Sequence, residues 1–206
     1  MSDTAPISDP ARGEAVTAFV GDSLTEAGNW QQWLPDERVE NLGVGGDTTD
    51  DLLERIDDVI AHGPGTVVLL IGTNDLAWRR GAEHIVRNIE TILVTLRREL
   101  PATQMLVQSI LPREHIYAKT IKEANRHLWQ FASTVRAQYL DLWPVFAQPN
   151  DSIDPRFSPD GLHLNDAGYE TWLAELRPAL EALRGLPPTS RAIVLPHLSE
   201  PPRAAG

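Results

Sequence analysis

Short apolar runs alternate along the chain with longer stretches in which apolar residues recur every three or four positions. The runs at residues 15–20, 39–42, 66–71, 104–110 and 139–142 predict strands. The run at 66–71 is continuously apolar and rich in β-branched residues, which suits a central strand buried on both faces. Between the strands, helical spacing predicts a helix over 23–34 stopped by Pro35. A second, capped by Asp47 or Thr48, carries Leu52, Leu53, Ile56, Val59 and Ile60 on one face and ends at Gly63-Pro64-Gly65. A third carries Ile85, Ile89, Ile92, Leu93, Leu96 and Leu100 and closes at Pro101. A fourth spans 118–137, with Ile121, Ala124, Leu128, Phe131, Ala132 and Val135 inward. The last holds Tyr169, Trp172, Leu173 and Leu176, with Pro178 expected to kink or restart it. Residues 72–75 and 143–163 are expected as loops.

Strands alternating with helices predict a parallel sheet covered by helices on both faces, a three-layer α/β/α sandwich. The expected organisation is a loose arm at 1–13, one domain at 14–185 and a proline-rich tail at 186–206. In the tail, Ile193-Val194-Leu195 is expected to pack on this chain or on a second copy, making a homo-oligomer a candidate assembly.

Charge and composition then narrow the partners. With 18 basic and 29 acidic residues the chain has a net charge of -11, which disfavours nucleic acid and anionic membranes. There is no cysteine, so disulfides, thiolate metal sites and cysteine nucleophiles are excluded. The start of the chain is polar, and no apolar run approaches the roughly 20 residues of a membrane helix, so the cytoplasm is the expected compartment.

Four stretches stand at predicted strand ends or just before the last helix: Gly21-Asp22-Ser23-Leu24, Gly43-Val44-Gly45-Gly46-Asp47, Gly72-Thr73-Asn74-Asp75 and Asp160-Gly161-Leu162-His163. The carboxyl ends of parallel strands share one edge, so loops distant in sequence meet there. Acyl transfer gives these residue types roles. Ser23 is the candidate nucleophile, His163 the general base and Asp160 the group that orients it. The backbone N–H groups of Ser23 and Gly46 and the Asn74 amide are candidate oxyanion donors. Ser23 also falls at a predicted helix start, where the dipole favours negative charge. Asp22 and Asp75 are expected to tether their own turns.

Taken singly, each stretch is an ordinary turn. The dinucleotide fingerprint fails at Thr48, where its third glycine is required, and the Gly-x-Ser-x-Gly elbow fails at Thr25. His62, His84, His115, His127 and His197 lack metal-ligand spacing and are expected at the surface. Trp30, Trp33 and Trp143 are candidates for core or partner packing. Trp78, four residues beyond Asn74, is a candidate for the acyl pocket, and Arg79 and Arg80 are expected as solvated charges.

Together the four stretches resemble the conserved blocks of the SGNH hydrolase superfamily, the GDSL esterases and lipases. The form Gly-Val-Gly-Gly-Asp-Thr-Thr is most similar to the platelet-activating-factor acetylhydrolase branch. The resemblance implies a flavodoxin-like, five-stranded parallel sheet in order 2-1-3-4-5. It also implies esterase activity with no metal and no cofactor, with Ser23, Gly46, Asn74 and His163 as the four name-giving residues and Asp160 as the aspartate. The expected function is hydrolysis of short acyl or acetyl esters of a lipid or sugar through an acyl-enzyme. Lysophospholipase, thioesterase and carbohydrate deacetylase activities stay open, as does a non-catalytic binding module on this fold.

Overall fold

The structure, a computed structural model, describes residues 15–186. The expected arm at 1–13 and the apolar Ile193-Val194-Leu195 segment lie outside the described residues. Five parallel strands form one sheet in the order β2-β1-β3-β4-β5. They are β1 (Thr17–Gly21), β2 (Val39–Gly43), β3 (Thr66–Leu70), β4 (Gln104–Gln108) and β5 (Gln138–Leu140). Gly21 of β1 pairs in register with Gly43 of β2 and Leu70 of β3, so three strands end level on one edge.

Side-chain alternation divides the core into two layers. Ala18, Val20, Val67, Leu69, Met105 and Val107 face one side of the sheet. They pack with α3 (Thr49–Glu54), α4 (Ile56–Ala61), α6 (Ala82–Glu99) and α7 (Ala118–Ala132). Phe19, Val68, Leu70, Leu106 and Leu140 face the other. Over them lie α1 (Ser23–Glu26), α2 (Trp30–Trp33), α8 (Trp143–Phe146) and α9 (Asp166–Arg184). Both faces of β3 are therefore sealed, as its unbroken apolar run requires.

The expected strands are all present, and no end is shifted by more than two residues. The helices depart more. The single helix expected over 23–34 is two short ones, α1 and α2. The Trp30 ring stacks on Phe19 of β1 at 4.2 Å, and its Nε1–H donates to the Thr25 carbonyl, where a continued helix would need that acceptor. A Cβ at Gly28 would lie 2.2 Å from the Trp30 ring, so only glycine fits the break. The helix opened by Thr48 is likewise split, at Arg55, whose φ of -107° and ψ of 16° are not helical. Of residues 72–75, expected as loop, all but Gly72 fall in a short helix, α5 (Thr73–Ala77). The expected 118–137 helix tightens to a 3-10 turn at Ser133–Val135. Pro178 neither ends nor restarts α9. Ala174 and Pro178 both face solvent, so water can take the carbonyl that proline leaves unpaired.

Aromatic packing holds α2 and α9 to the sheet. Trp30 contacts Phe19, Trp33, Tyr169 and Trp172, and both Trp30 and Trp172 are buried. Trp30→Ala is expected to lower the unfolding free energy by about 3–5 kcal/mol, read from urea denaturation. Val94→Ala, on the exposed face of α6, is expected to change it by no more than about 0.5 kcal/mol.

Candidate active site

Ser23 is the first residue of α1, directly after β1, and Asp22 is the N-cap. The turn is tight. A Cβ on Gly21 would lie 2.1 Å from the Leu70 carbonyl oxygen, so glycine is required for β1 and β3 to close here. The backbone N–H of Ser23 has no acceptor within the helix. With only four residues, α1 adds little of the dipole expected there; the N–H itself is the useful donor.

His163 and Asp160 lie on one turn ahead of α9. Asp160 Oδ1 accepts the N–H groups of Leu162 (2.9 Å) and His163 (2.7 Å). Its Oδ2 lies 2.8 Å from His163 Nδ1. His163 Nε2 lies 3.3 Å from Ser23 Oγ. The hydroxyl, imidazole and carboxylate thus form one line across residues 140 apart in sequence. The His163 hydrogen bond, joined by the Leu162 N–H, holds the Asp160 carboxyl far below the usual carboxylate range. An ionised Asp160 is an acceptor for an Nδ1–H, and in that tautomer the Nε2 lone pair is turned toward Ser23.

Gly46 adopts φ +87° with open space where a Cβ would stand, so backbone conformation rather than crowding demands glycine there. Asn74 lies in the first turn of α5, and its Nδ2 donates to the Asp47 carbonyl at 2.9 Å. One amide hydrogen is used in that bond and a second remains.

Asp22 tethers its turn, as expected, through Oδ1 to the Leu24 N–H at 3.0 Å. It is wholly buried, and its Oδ2 has no hydrogen-bond partner. Burial raises its carboxyl from 3.8 to about 7, and the charges of Asp47 and Asp75 push the same way. Asp75 does not serve its own turn. It reaches across to Thr49, accepting from N (2.9 Å) and Oγ1 (2.7 Å), and so ties α5 to the start of α3. Arg80, expected as a solvated charge, is half-buried and pairs with Asp50 at 2.7 Å and Asp75 at 3.3 Å.

Trp78, just past the end of α5, is 73% exposed. His84, expected as a free surface residue, pairs with Asp50 at 3.1 Å, and His62 pairs with Glu40 at 2.5 Å. Arg55 was not picked out from sequence, and Asp47 was read only as a candidate cap, a place that Thr48 takes; the Arg55 partners are two backbone carbonyls and Asp47, eight positions away, and leave no motif. Among the described residues, no helix is long and apolar enough to cross a membrane.

A parallel sheet with these groups at its carboxyl edge defines an α/β ester hydrolase. The chain belongs to the GDSL-like Lipase/Acylhydrolase family, whose model matches residues 19–171. It is similar to the platelet-activating factor acetylhydrolase IB subunit alpha1 of Rattus norvegicus, at 28% identity over 174 residues, 79% of this chain and 74% of the relative. Among solved structures, a GDSL-like lipase from Bacteroides thetaiotaomicron matches with a TM-score of 0.71 and 23% identity over 86% of this chain and 92% of its own. A mutant acetyl-xylooligosaccharide esterase from Geobacillus matches with a TM-score of 0.68 and 20% identity over 83% and 94%. At these identities the two structures speak to fold alone.

The state of Asp22 makes stability depend on pH. Between pH 3.8 and about 7 the folded protein keeps a proton that the unfolded chain has released, so stability falls as pH rises through that window. Asp22→Asn keeps an oxygen for the Leu24 N–H and cannot ionise. It is expected to stabilise the protein at about pH 8, on the order of a few kcal/mol, with the advantage shrinking steadily toward about pH 4. Thermal melts of both proteins across that range check it; a gap that does not vary with pH counts against the burial account.

Proposed function

We propose that the chain is a serine esterase that hydrolyses short acyl esters, acetyl esters foremost, through an acyl-enzyme on Ser23. The observation that carries this reading is the continuous contact from Ser23 Oγ through His163 to Asp160, at 3.3 Å and 2.8 Å. Its support from relatives is the 28% identity to a protein named for acetyl hydrolysis.

In the reaction, Ser23 Oγ attacks the ester carbonyl carbon while its proton passes to His163 Nε2. The imidazolium that forms is stabilised by the Asp160 carboxylate. The carbonyl oxygen becomes an oxyanion and accepts hydrogen bonds from the Ser23 N–H, the Gly46 N–H and the free Asn74 amide hydrogen. Each such donor is worth about 2.7–4 kcal/mol to a transition state. The carbonyl re-forms, the bond to the alcohol oxygen breaks, and His163 returns its proton to the leaving alcohol. Water then attacks the acyl-enzyme, giving a proton to His163, and the acid departs as Ser23 recovers its hydrogen. Trp78 offers the substrate an apolar contact just past the helix that carries Asn74.

Ser23→Ala is expected to lower turnover of p-nitrophenyl acetate by about four orders of magnitude or more and to abolish labelling by a fluorophosphonate probe, with an unchanged melting temperature. Undiminished turnover in that folded variant would exclude the mechanism. A panel of acetylated sugars, lysophospholipids and acyl thioesters identifies the leaving group.

A further inference from the structure

We infer that Arg55 is a positioning residue that sets the oxyanion donors in register. The inference rests on the esterase reading given above.

Arg55 sits at the break between α3 and α4, with its side chain four-fifths buried. Nη2 donates to the carbonyl oxygens of Gly21 (3.2 Å) and Leu42 (3.0 Å). Nε donates to Asp47 Oδ2 at 2.6 Å. Each of these acceptors belongs to a segment that presents a donor. Gly21 precedes Asp22-Ser23, and its position sets where the Ser23 N–H points. Leu42 and Asp47 bracket the turn that holds Gly46. The Asp47 carbonyl in turn accepts from Asn74 Nδ2 at 2.9 Å, which orients the amide. One guanidinium and one further hydrogen bond therefore link all three donors.

This position needs something of the kind. The β1–β2 ladder ends at the Gly21–Gly43 pair. Past that point the Val44 N–H to the Gly21 carbonyl, at 3.0 Å, is the direct backbone bond that joins the two loops. A planar fork of five donors can serve two carbonyls and a carboxylate at once, and the Asp47 charge offsets the burial of the cation. Lysine, a single ammonium on a flexible stem, cannot reproduce that geometry. Misplacement of catalytic groups by about 1 Å can cost a hundredfold in rate, so a brace at this point acts on kcat.

The test compares wild type, Arg55→Met, Arg55→Lys, Asn74→Ala and the Arg55→Met/Asn74→Ala double variant on p-nitrophenyl acetate. Arg55→Met is expected to lower kcat by about 10²–10³-fold, comparable to losing one oxyanion donor, with KM within about threefold of wild type. Arg55→Lys is expected to recover only part of the loss. The double variant is expected to fall short of the product of the two single losses, because part of the Arg55→Met loss runs through the amide that Asn74→Ala removes. A folded Arg55→Met with kcat within about threefold of wild type, or losses that multiply fully in the double variant, makes Arg55 a structural salt-bridge partner and overturns the inference. If Arg55→Met does not fold, Asp47→Asn replaces it. That variant keeps the carbonyl for Asn74 and removes the charged anchor of Arg55; a fall in kcat at constant KM supports the inference, and an unchanged kcat overturns it. Ser23→Ala separates the two levels. If wild type turns over ester, Ser23→Ala does not and Arg55→Met is unimpaired, the positioning role alone fails. If Ser23→Ala retains turnover, the esterase reading fails and the inference with it.

Discussion

The rest of the structure depends on burying the central strand from both sides. Val67, Val68, Leu69 and Leu70 are each no more than 1% exposed, although they point alternately to opposite faces. Each such side chain is worth about 1.5–3 kcal/mol when removed from water, and the strand can gain this only if helices cover both surfaces of the sheet. Strand–helix–strand connections then force neighbouring strands to run parallel. Parallel strands in turn bring every loop after a strand to the same rim. The Ser23, glycine-turn and Asn74 segments meet because the hydrophobic core leaves them no other edge.

Two physical regimes meet at that rim. The His163–Asp160 turn is local and half-exposed, with side-chain exposures of 52% and 55%. It is organised by hydrogen bonds three residues apart, and water screens it. The side formed by Asp22, Asp47, Asp75 and Asn74 is mostly buried and is assembled from three separate segments. There, charges have to be paired or suppressed: Asp47 takes Arg55, Asp75 takes Thr49 and Arg80, and Asp22 has its carboxyl raised by burial. The 3.3 Å contact between Ser23 and His163 joins the exposed regime to the buried one.

The strands and their order were legible because alternation, β-branching and chain punctuation all point the same way. The single-residue breaks were not. The break at Gly28 answers to a tryptophan ring that has to reach Phe19, and the break at Arg55 coincides with a side chain that reaches three distant acceptors. Neither demand leaves a periodicity in its own segment. α5 is too short, at five residues, for helical spacing to register. In the site, Ser23, Gly46, Asn74, Asp160 and His163 were readable because acyl transfer calls for particular residue types at strand ends. Arg55 was not, because a guanidinium that serves main-chain carbonyls can have almost any neighbours in sequence. Arg80 was misread as solvated for a related reason: its carboxylates come from other elements.

The helix that begins at Ser23 is secured by a residue far along the sequence. The Tyr169 hydroxyl donates to the Leu24 carbonyl at 2.8 Å, across a separation of 145 residues. During synthesis, most of the chain therefore precedes the residue that clasps this helix, and a product released before residue 163 lacks both the clasp and the imidazole. On the esterase reading, the line from hydroxyl to carboxylate is a property of the completed topology rather than of its amino-terminal motif.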